Sequence, residues 1–219
     1  MPGQGRFITV EGGEGVGKSV FTAGLAAALR ARGFTVVTTR EPGGTPTADR
    51  IRALFAAPPA EDPLLMETEA LLVSAARAQH VGRLVRPALT RGDWVLSDRF
   101  TDSTRVYQGA LGGMAQNALE SLIAFSTSGL EPDLSFLLDC DVATARARLA
   151  GRGGNQRDPV ERYDHAQLAV HERLRDAYLQ LASRFPARII RLDASRPPAA
   201  LLEEALSLVA QRFALGGKA

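Results

Sequence analysis

A glycine-rich loop close to the amino terminus constrains this chain more than any other feature. The octapeptide GGEGVGKS, residues 12–19, has glycine, lysine and serine at every fixed position of the phosphate-binding pattern G-x-x-x-x-G-K-[ST]. The apolar segment Phe7–Val10 precedes it, and a helical pattern from about Lys18 to Arg32 follows it. Such a loop works between a strand and the amino end of a helix, so the chain is predicted to begin as strand, phosphate loop and helix.

This loop also predicts chemistry. Its glycines let backbone N–H groups turn toward phosphate oxygens. Lys18 is predicted to reach the β- and γ-phosphates, and the Ser19 hydroxyl to help hold Mg²⁺. A glycine-rich turn that binds nothing is the less favoured alternative, because both the pattern and its context match. The loop alone does not separate a kinase from a GTPase, a motor or a regulatory ATPase.

Strand-like and helix-like segments alternate along the rest of the chain. This alternation predicts an α/β fold, a single domain over residues 1–219 with a five-stranded parallel sheet flanked by helices. Pro87 is expected to kink a long helix near its end. The further strands are predicted at 34–39, 94–97, 134–138 and 188–192, and the further helices at 45–55, 64–91, 115–128, 142–149, 164–184 and 198–213.

Composition excludes several classes of protein. With 45% hydrophobic and 23% charged residues, the chain has the balance of a soluble globular protein. Cys140 is the only cysteine, which excludes an internal disulfide and is typical of a reducing compartment. No apolar stretch is long enough to cross a bilayer and no signal peptide is recognisable, so we expect a cytoplasmic protein with no membrane partner. A net charge of +2 without a basic cluster argues against a nucleic-acid partner.

Charged residues follow the second and third predicted strands. Asp98 ends the third strand and is placed to bind the Mg²⁺ shell, although a salt-bridged surface acid is the alternative. Arg40 and Arg99 are expected at the same sheet edge, which suggests a second anion such as a monophosphate. Arg77 is either a third arginine of this second anion site or a solvent-exposed residue on the surface of a helix. The polar segment 100–109 is predicted to be a loop that hydrogen-bonds a sugar or a base, or a capped turn.

Together these segments resemble the thymidylate kinase family, over about residues 7–213. The resemblance implies a fold like that of the P-loop nucleoside monophosphate kinases. It also implies magnesium-dependent transfer of the γ-phosphoryl group of ATP to dTMP, giving dTDP and ADP in dTTP biosynthesis, by a homodimer. The matching segments are EGGEGVGKS at 11–19, REPGGT at 40–45, AARAQH at 75–80, DRF at 98–100, ST at 103–104 and YQG at 107–109.

The resemblance also implies residue roles. Glu14 would bind the 3′-hydroxyl of dTMP, and Tyr107 would pack under the deoxyribose with support from Gln108. Asp98 would serve Mg²⁺ beside Ser19, and Ser195 would lie beside the adenine. The acceptor would be held by Arg40, Arg77 and Arg99, with Ser103 and Thr104 near the base and Glu41 and Pro42 shaping the pocket; the donor phosphates would be cradled by Gly12, Gly13, Glu14, Gly15, Val16, Gly17, Lys18 and Ser19.

A lid is predicted at about residues 151–162, where the chain is rich in glycine and arginine. The alternative is a surface loop without function. Some thymidylate kinases carry an arginine inside the phosphate loop, but here that position is Gly15, so this chain resembles the bacterial type, whose catalytic arginine comes from the lid. The segment ERYD at 161–164 is similar to the motif that ends the lid. Arg162 is its anchor, and Arg152 and Arg157 are both candidates for the catalytic contact.

The base pocket departs from the family pattern. Four residues before Arg77 the family usually has an aromatic that stacks on thymine, but this chain has Val73. Stacking contributes on the order of 1–3 kcal/mol in single-strand binding proteins. Phe100 could fill in, the acceptor could bind more weakly, or it could be another pyrimidine monophosphate. Two alternatives to a thymidylate kinase therefore stay open: a P-loop kinase for another nucleotide or small phosphorylated acceptor, and a nucleotide-binding regulator or ATPase. The apolar segment Leu64–Leu89 is a candidate dimer interface.

Overall fold

The protein is described here by a computed structural model that covers residues 4–59, 61–151 and 167–215. Five parallel strands form one sheet in the order β2-β3-β1-β4-β5. The central position of β1 explains why all five of its residues are buried. The strands are β1 (Phe7–Glu11), β2 (Val36–Arg40), β3 (Trp94–Asp98), β4 (Leu134–Asp139) and β5 (Ile189–Asp193).

Helices connect the strands and cover both faces of the sheet. Parallel strands need such crossovers, so the predicted fold class is confirmed. Most predicted elements end within one or two residues of the observed ones. The helices are α1 (Lys18–Ala31), α2 (Pro46–Ala56), α3 (Met66–His80), α4 (Arg86–Thr90), α5 (Thr101–Thr104), α6 (Gln116–Thr127), α7 (Val142–Ala150), α8 (Leu168–Arg184) and α9 (Pro198–Arg212). In the described ranges, none of them is long and apolar enough to span a membrane.

The core divides along the sheet because side chains of a strand alternate between its faces. Ile8 and Val10 point toward α1 and α9, in the largest apolar cluster. Phe7 points to the other face and joins Val95 and Phe100. The central strand is thus anchored from both sides, which fixes the position of the loop that follows it.

The long helix predicted over 64–91 is interrupted before Pro87. A π turn, Val81–Val85, joins α3 to α4. Proline has no N–H to donate and its ring crowds the preceding turn, so the regular hydrogen-bond ladder cannot run through it.

The prediction of a loop or capped turn at residues 100–109 is wrong. The chain forms α5 there and continues as a π turn over Arg105–Leu111. Thr, Asp and Ser are poor helix formers, so tertiary contacts stabilise this helix. All four residues of α5 are buried, and the Asp102 carboxylate accepts two hydrogen bonds, of 2.7 and 2.8 Å, from Arg188.

Strand register brings the candidate residues to one edge. Arg40 at the end of β2 pairs with Asp98 at the end of β3. The backbone N–H of Arg99 donates to Val10 of β1, one residue before that strand ends. The phosphate loop, Arg40, Asp98 and Arg99 therefore all emerge at the carboxyl edge, where ligands bind in open α/β sheets.

Candidate active site

The phosphate loop wraps tightly between β1 and α1. Gly12, Gly15 and Gly17 have φ angles of 136°, 77° and 99°, in the region that favours glycine. A β carbon at Gly12 would collide with the carbonyl of Leu138, and one at Gly15 with the carbonyl of Ala145 in α7. Only glycine fits at both positions, so an arginine in place of Gly15 would require α7 to shift.

Lys18 lies over this loop. Its side chain is buried, and Nζ donates to the carbonyl oxygens of Gly12 at 3.1 Å and Gly13 at 2.6 Å. Among the described residues, no side chain caps the amino end of α1, and the first turn of this helix contains no acidic residue. The N–H groups of the first turn, the helix dipole and the ammonium together favour the binding of an anion at this end of the helix.

Ser19 and Asp98 meet beside the loop. The Ser19 hydroxyl donates to Asp98 Oδ2 at 3.2 Å, while the buried Oδ1 has no hydrogen-bond partner in the part of the chain that the structure describes. A hydroxyl next to a carboxylate with an unengaged oxygen is a hard oxygen donor set of the kind that Mg²⁺ prefers. The two residues therefore fit the predicted cation.

Arg99 joins the phosphate loop to the predicted acceptor side. Nη1 donates to the Gly12 carbonyl at 3.2 Å, and Nη2 donates to Glu14 Oε1 at 3.2 Å. The same Glu14 oxygen accepts the Tyr107 hydroxyl at 2.5 Å, and the Arg99 guanidinium lies 5.2 Å from the centre of the Tyr107 ring. Burial alone would raise the pKa of Glu14, but Arg99, Lys18 and the Tyr107 hydrogen bond outweigh it and hold this pKa below its ordinary value. Glu14 is thus an anion at neutral pH.

Arg77 is buried, so its alternative reading as a solvated helix position is wrong. Nε donates to Glu41 Oε2 at 2.8 Å and Nη2 donates to the Thr104 hydroxyl at 2.8 Å. The other Glu41 oxygen bonds His80 Nδ1 at 2.9 Å. Nη1 is buried without a hydrogen-bond partner among the described residues. A buried guanidinium nitrogen that lacks an acceptor is suited to donate to a ligand.

Phe100 does not replace the missing aromatic. Its side chain is 1% exposed and its ring packs edge-on against Phe7 with centroids 4.9 Å apart. The Arg77 guanidinium lies over the Phe100 ring, 5.4 Å from its centre. The expectation that Phe100 offers a stacking face is therefore wrong, because protein groups enclose the ring. Val73 is 7% exposed on the buried face of α3. It gives the predicted base pocket an apolar side chain there but no aromatic face.

The other predicted residues are more scattered. Arg40 is exposed at the end of β2. Gln108 is buried and donates to Glu69 of α3 at 3.5 Å. Ser195 is exposed after β5 and its hydroxyl donates to Asp193 at 2.6 Å. The three predicted lid residues, Arg152, Arg157 and Arg162, lie outside the described residues.

Two site residues escaped sequence reasoning, Glu11 and Tyr178. Glu11 ends β1 and accepts hydrogen bonds from the Phe100 N–H at 2.8 Å and the Ser103 hydroxyl at 2.7 Å. The Tyr178 hydroxyl of α8 bonds Ser103 at 2.9 Å and accepts from Arg99 at 3.1 Å. An acid that ends an otherwise apolar strand beside a phosphate loop is a usable signal for Glu11. Nothing local marks Tyr178, because 79 residues separate it from Arg99.

Comparison with known proteins relates the whole site to one family. The profile of the family described as "Thymidylate kinase" matches residues 10–205. The chain is 45% identical to a thymidylate kinase of Chromohalobacter salexigens, over 96% of this chain and 97% of the relative. It is 43% identical to one of Alkalilimnicola ehrlichii over 99% of both chains, and 47% identical to one of Pseudomonas entomophila over 90% of this chain and 91% of the relative. The family profile spans every site residue described above.

Proposed function

The chain belongs to the thymidylate kinase family, a family of phosphotransferases with ATP as donor, and from that premise we propose how its own residues transfer the γ-phosphoryl group to dTMP. The products are dTDP and ADP, on the route to dTTP. The observation that carries this proposal is the meeting of two anion sites at one sheet edge. One is the lysine-bearing phosphate loop, and the other is built around Arg99 and Arg77.

The donor side uses the loop and the amino end of α1. Lys18 leaves the loop carbonyls to contact the β- and γ-phosphates, and backbone N–H groups of residues 12–19 cradle them. Ser19 and Asp98 would hold Mg²⁺, and the cation would supply positive charge beside the donor phosphates. Ser195, at the carboxyl end of β5, is the residue we assign to the adenine.

The acceptor side uses arginines and one acid. Arg99 and Arg40 hold the monophosphate, and Arg77 donates its unengaged Nη1 toward the base side. Glu14 Oε2 is buried without a hydrogen-bond partner in the described part of the chain, so it is free to accept the 3′-hydroxyl. Tyr107 packs under the deoxyribose, where a ribose 2′-hydroxyl would be crowded. Ser103, Thr104, Val73 and Gln108 complete the pocket.

Catalysis follows from positioning and charge, with no covalent enzyme intermediate. An oxygen of the acceptor phosphate attacks the γ-phosphorus while the bond to ADP breaks. The acceptor is already an anion near neutral pH, so a strong general base is unnecessary. Charge on the equatorial oxygens of the moving group needs arginine, and we assign this to Arg152 or Arg157, with Arg162 as the anchor of the lid.

A homodimer is the assembly we propose. Helix α3 packs against both α2 and α6, and each of these three helices exposes a large apolar side chain on the face that we propose for the dimer. Leu54 is 51%, Leu71 57% and Phe125 83% exposed. A second copy of this chain would cover this face, and light scattering should then give about twice the chain mass of 23.4 kDa. The lone Cys140 supports a cytoplasmic location.

A second acceptor is favoured by one observation. Val73 provides no π face, and Phe100 is enclosed in the core, so neither of these two residues can stack on thymine. Another pyrimidine monophosphate is therefore the alternative substrate.

Release of ADP by the purified protein tests the proposal. The assay contains ATP and Mg²⁺ with dTMP, dUMP, dCMP, dGMP or no acceptor. We expect strong stimulation by dTMP. If only another monophosphate stimulates ADP release, the proposed mechanism still holds but that nucleotide is the acceptor, and the pocket around Val73 is the cause of the different specificity. An equal rate of ADP release with every acceptor and without any acceptor would contradict the proposed function.

A further inference from the structure

The Glu11 carboxylate is enclosed, and no basic side chain among the described residues forms an ion pair with it. The side chain is 1% exposed at the end of the central strand. In the described part of the chain, only uncharged groups hydrogen-bond to it: the Phe100 N–H at 2.8 Å, the Ser103 hydroxyl at 2.7 Å and the Tyr178 hydroxyl at 3.4 Å. Burying a carboxylate in this way is costly unless a counter-charge compensates it. The counter-charge is found one step further away, on the arginine that contacts two of these three donors.

Two hydroxyls connect Glu11 to Arg99. The Arg99 Nη1 donates to Ser103 Oγ at 3.2 Å and to the Tyr178 hydroxyl at 3.1 Å. A guanidinium only donates, so both hydroxyls accept from Arg99 and keep their own protons. The Ser103 proton is then directed at Glu11 Oε2. The guanidinium, the hydroxyls and the carboxylate thus form one polarised relay with opposite charges at its ends.

Glu11 also restrains the backbone next to Arg99 through a hydrogen bond. Arg99 has a φ angle of 70°, a left-handed conformation that is unfavourable for residues other than glycine. Glu11 Oε1 accepts the N–H of the next residue, Phe100, and the Ser97 hydroxyl donates to the Arg99 carbonyl at 2.8 Å. One carboxylate therefore restrains both the turn that carries Arg99 and the end of its side chain.

We propose that Glu11 is a positioning residue for the acceptor monophosphate, and that it acts by holding Arg99 through Ser103, Tyr178 and the Phe100 N–H. This inference rests on the proposed function, in which Arg99 binds the acceptor. Glu11 contacts no substrate in this account. Its effect is therefore expected on acceptor binding rather than on the donor site.

The charge on Glu11 should make this positioning depend on pH. The groups that face it are Asp102 and Ser103 from α5, Arg99 from the preceding turn and Tyr178 from α8. Burial, reinforced by Asp102, raises the pKa of Glu11 to about 7, against the opposing effect of Ser103 and Arg99. Protonation removes the negative charge that faces Arg99 across the two hydroxyls and weakens the acceptor for the Ser103 proton, while Glu14 remains as the direct ion-pair partner of Arg99. Acceptor binding should therefore weaken as the pH falls through this range.

The first test compares Glu11→Gln with Thr9→Val. Thr9 lies two residues earlier on the same strand, is fully buried and bonds Ser135 at 2.6 Å, so this control loses a buried hydrogen bond away from the site. Glu11→Gln should raise the KM for dTMP about tenfold, as loss of a charge-assisted hydrogen bond does, and change the KM for ATP by no more than about twofold. Besides the ionisation of the acceptor phosphate, which every variant shares, the wild-type profile of kcat/KM for dTMP should contain an ionisation near pH 7 that Glu11→Gln lacks. Thr9→Val should keep both the KM and that ionisation.

The second test asks whether the three residues act as one unit. Ser103→Ala and Tyr178→Phe should each raise the KM for dTMP in the wild-type background and have a smaller effect in the Glu11→Gln background. If Glu11→Gln does not fold, the Ser103→Ala/Tyr178→Phe double variant should by itself raise this KM and lose the ionisation near pH 7. Unchanged KM and pH profile in the variants, or fully additive effects, would overturn the inference. Failure of the wild-type protein to phosphorylate dTMP would instead overturn the proposed function.

Discussion

Glu41→Gln should destabilise this protein strongly through its effect on Arg77. The two side chains are 3% and 2% exposed and form a hydrogen-bonded ion pair of 2.8 Å. The substitution keeps the shape of the side chain but removes its charge. Among the described residues, Arg77 then keeps neutral acceptors only: the glutamine oxygen, the Thr104 hydroxyl at 2.8 Å and the Phe100 carbonyl at 3.4 Å. His80 also loses a charged partner.

The size of this effect can be worked from the geometry. Removing one member of a buried ion pair typically costs about 3–5 kcal/mol, because the remaining charge is left uncompensated. The glutamine oxygen still accepts one hydrogen bond, so we expect the lower end, about 3 kcal/mol. For a chain of this length, each kcal/mol lowers Tm by about 2–4 °C, so Tm should fall by about 6–12 °C.

Urea unfolding at one fixed protein concentration measures this loss, with Glu204→Gln as the matched control. Glu204 makes the same kind of ion pair with Arg196, but the two side chains are 40% and 43% exposed. Exposed pairs contribute about 0–1 kcal/mol, so the control should unfold close to the wild type. Equal losses for the two variants, or a loss below about 1 kcal/mol for Glu41→Gln at unchanged slope, would refute the reasoning about burial.

The remaining predictions concern the pocket, the lid and pH. Val73→Phe should lower the KM for dTMP about tenfold, because the new ring can stack on thymine. A higher KM would show that the base pocket has no room for a ring at this position. Arg157→Ala and Arg162→Ala should lower kcat more than they raise the KM for dTMP; steady-state kinetics with kcat intact in both would exclude the lid role. The folded protein keeps the Glu11 proton up to about pH 7, whereas the unfolded chain releases it near the ordinary value of 4.5. Wild-type stability attributable to Glu11 is thus lost as pH rises between these values, and the Tm of Glu11→Gln relative to wild type should be higher at pH 8 than at pH 5. A Tm difference that does not change with pH would contradict this pKa.

Most of the fold could be predicted because its signals are local. The phosphate loop fixes a strand before it and a helix after it, and alternating apolar patterns mark the other strands. Parallel strands then place Arg40, Asp98 and Arg99 at one edge without knowledge of any contact. This is why the predicted edge residues and the observed ones agree.

Tertiary contacts explain what the sequence did not reveal. The helix α5 consists of Thr, Asp and Ser, whose propensities favour turns, and partly buried ion pairs such as that of Asp102 with Arg188 stabilise it. Arg77 looks like a surface residue until Glu41 is seen to pair with it across 36 residues. Phe100 looks available for stacking until Phe7 is found against its ring.

Glu11 illustrates the same limit within the site itself. Its partner Tyr178 is 167 residues away in the chain, and no spacing rule connects the two. A buried carboxylate at the end of a strand indicates that something compensates it, but only the structure identifies Arg99 as the charge beyond the hydroxyls.

Transfer of label from [γ-³²P]ATP tests the central claim most directly. Wild-type protein and Lys18→Ala are incubated with labelled ATP, Mg²⁺ and dTMP, and the labelled products are separated. The account predicts that the wild type places the label in dTDP and that Lys18→Ala, although folded, forms almost none. Label that appears only as inorganic phosphate, or undiminished labelled dTDP from Lys18→Ala, would contradict it.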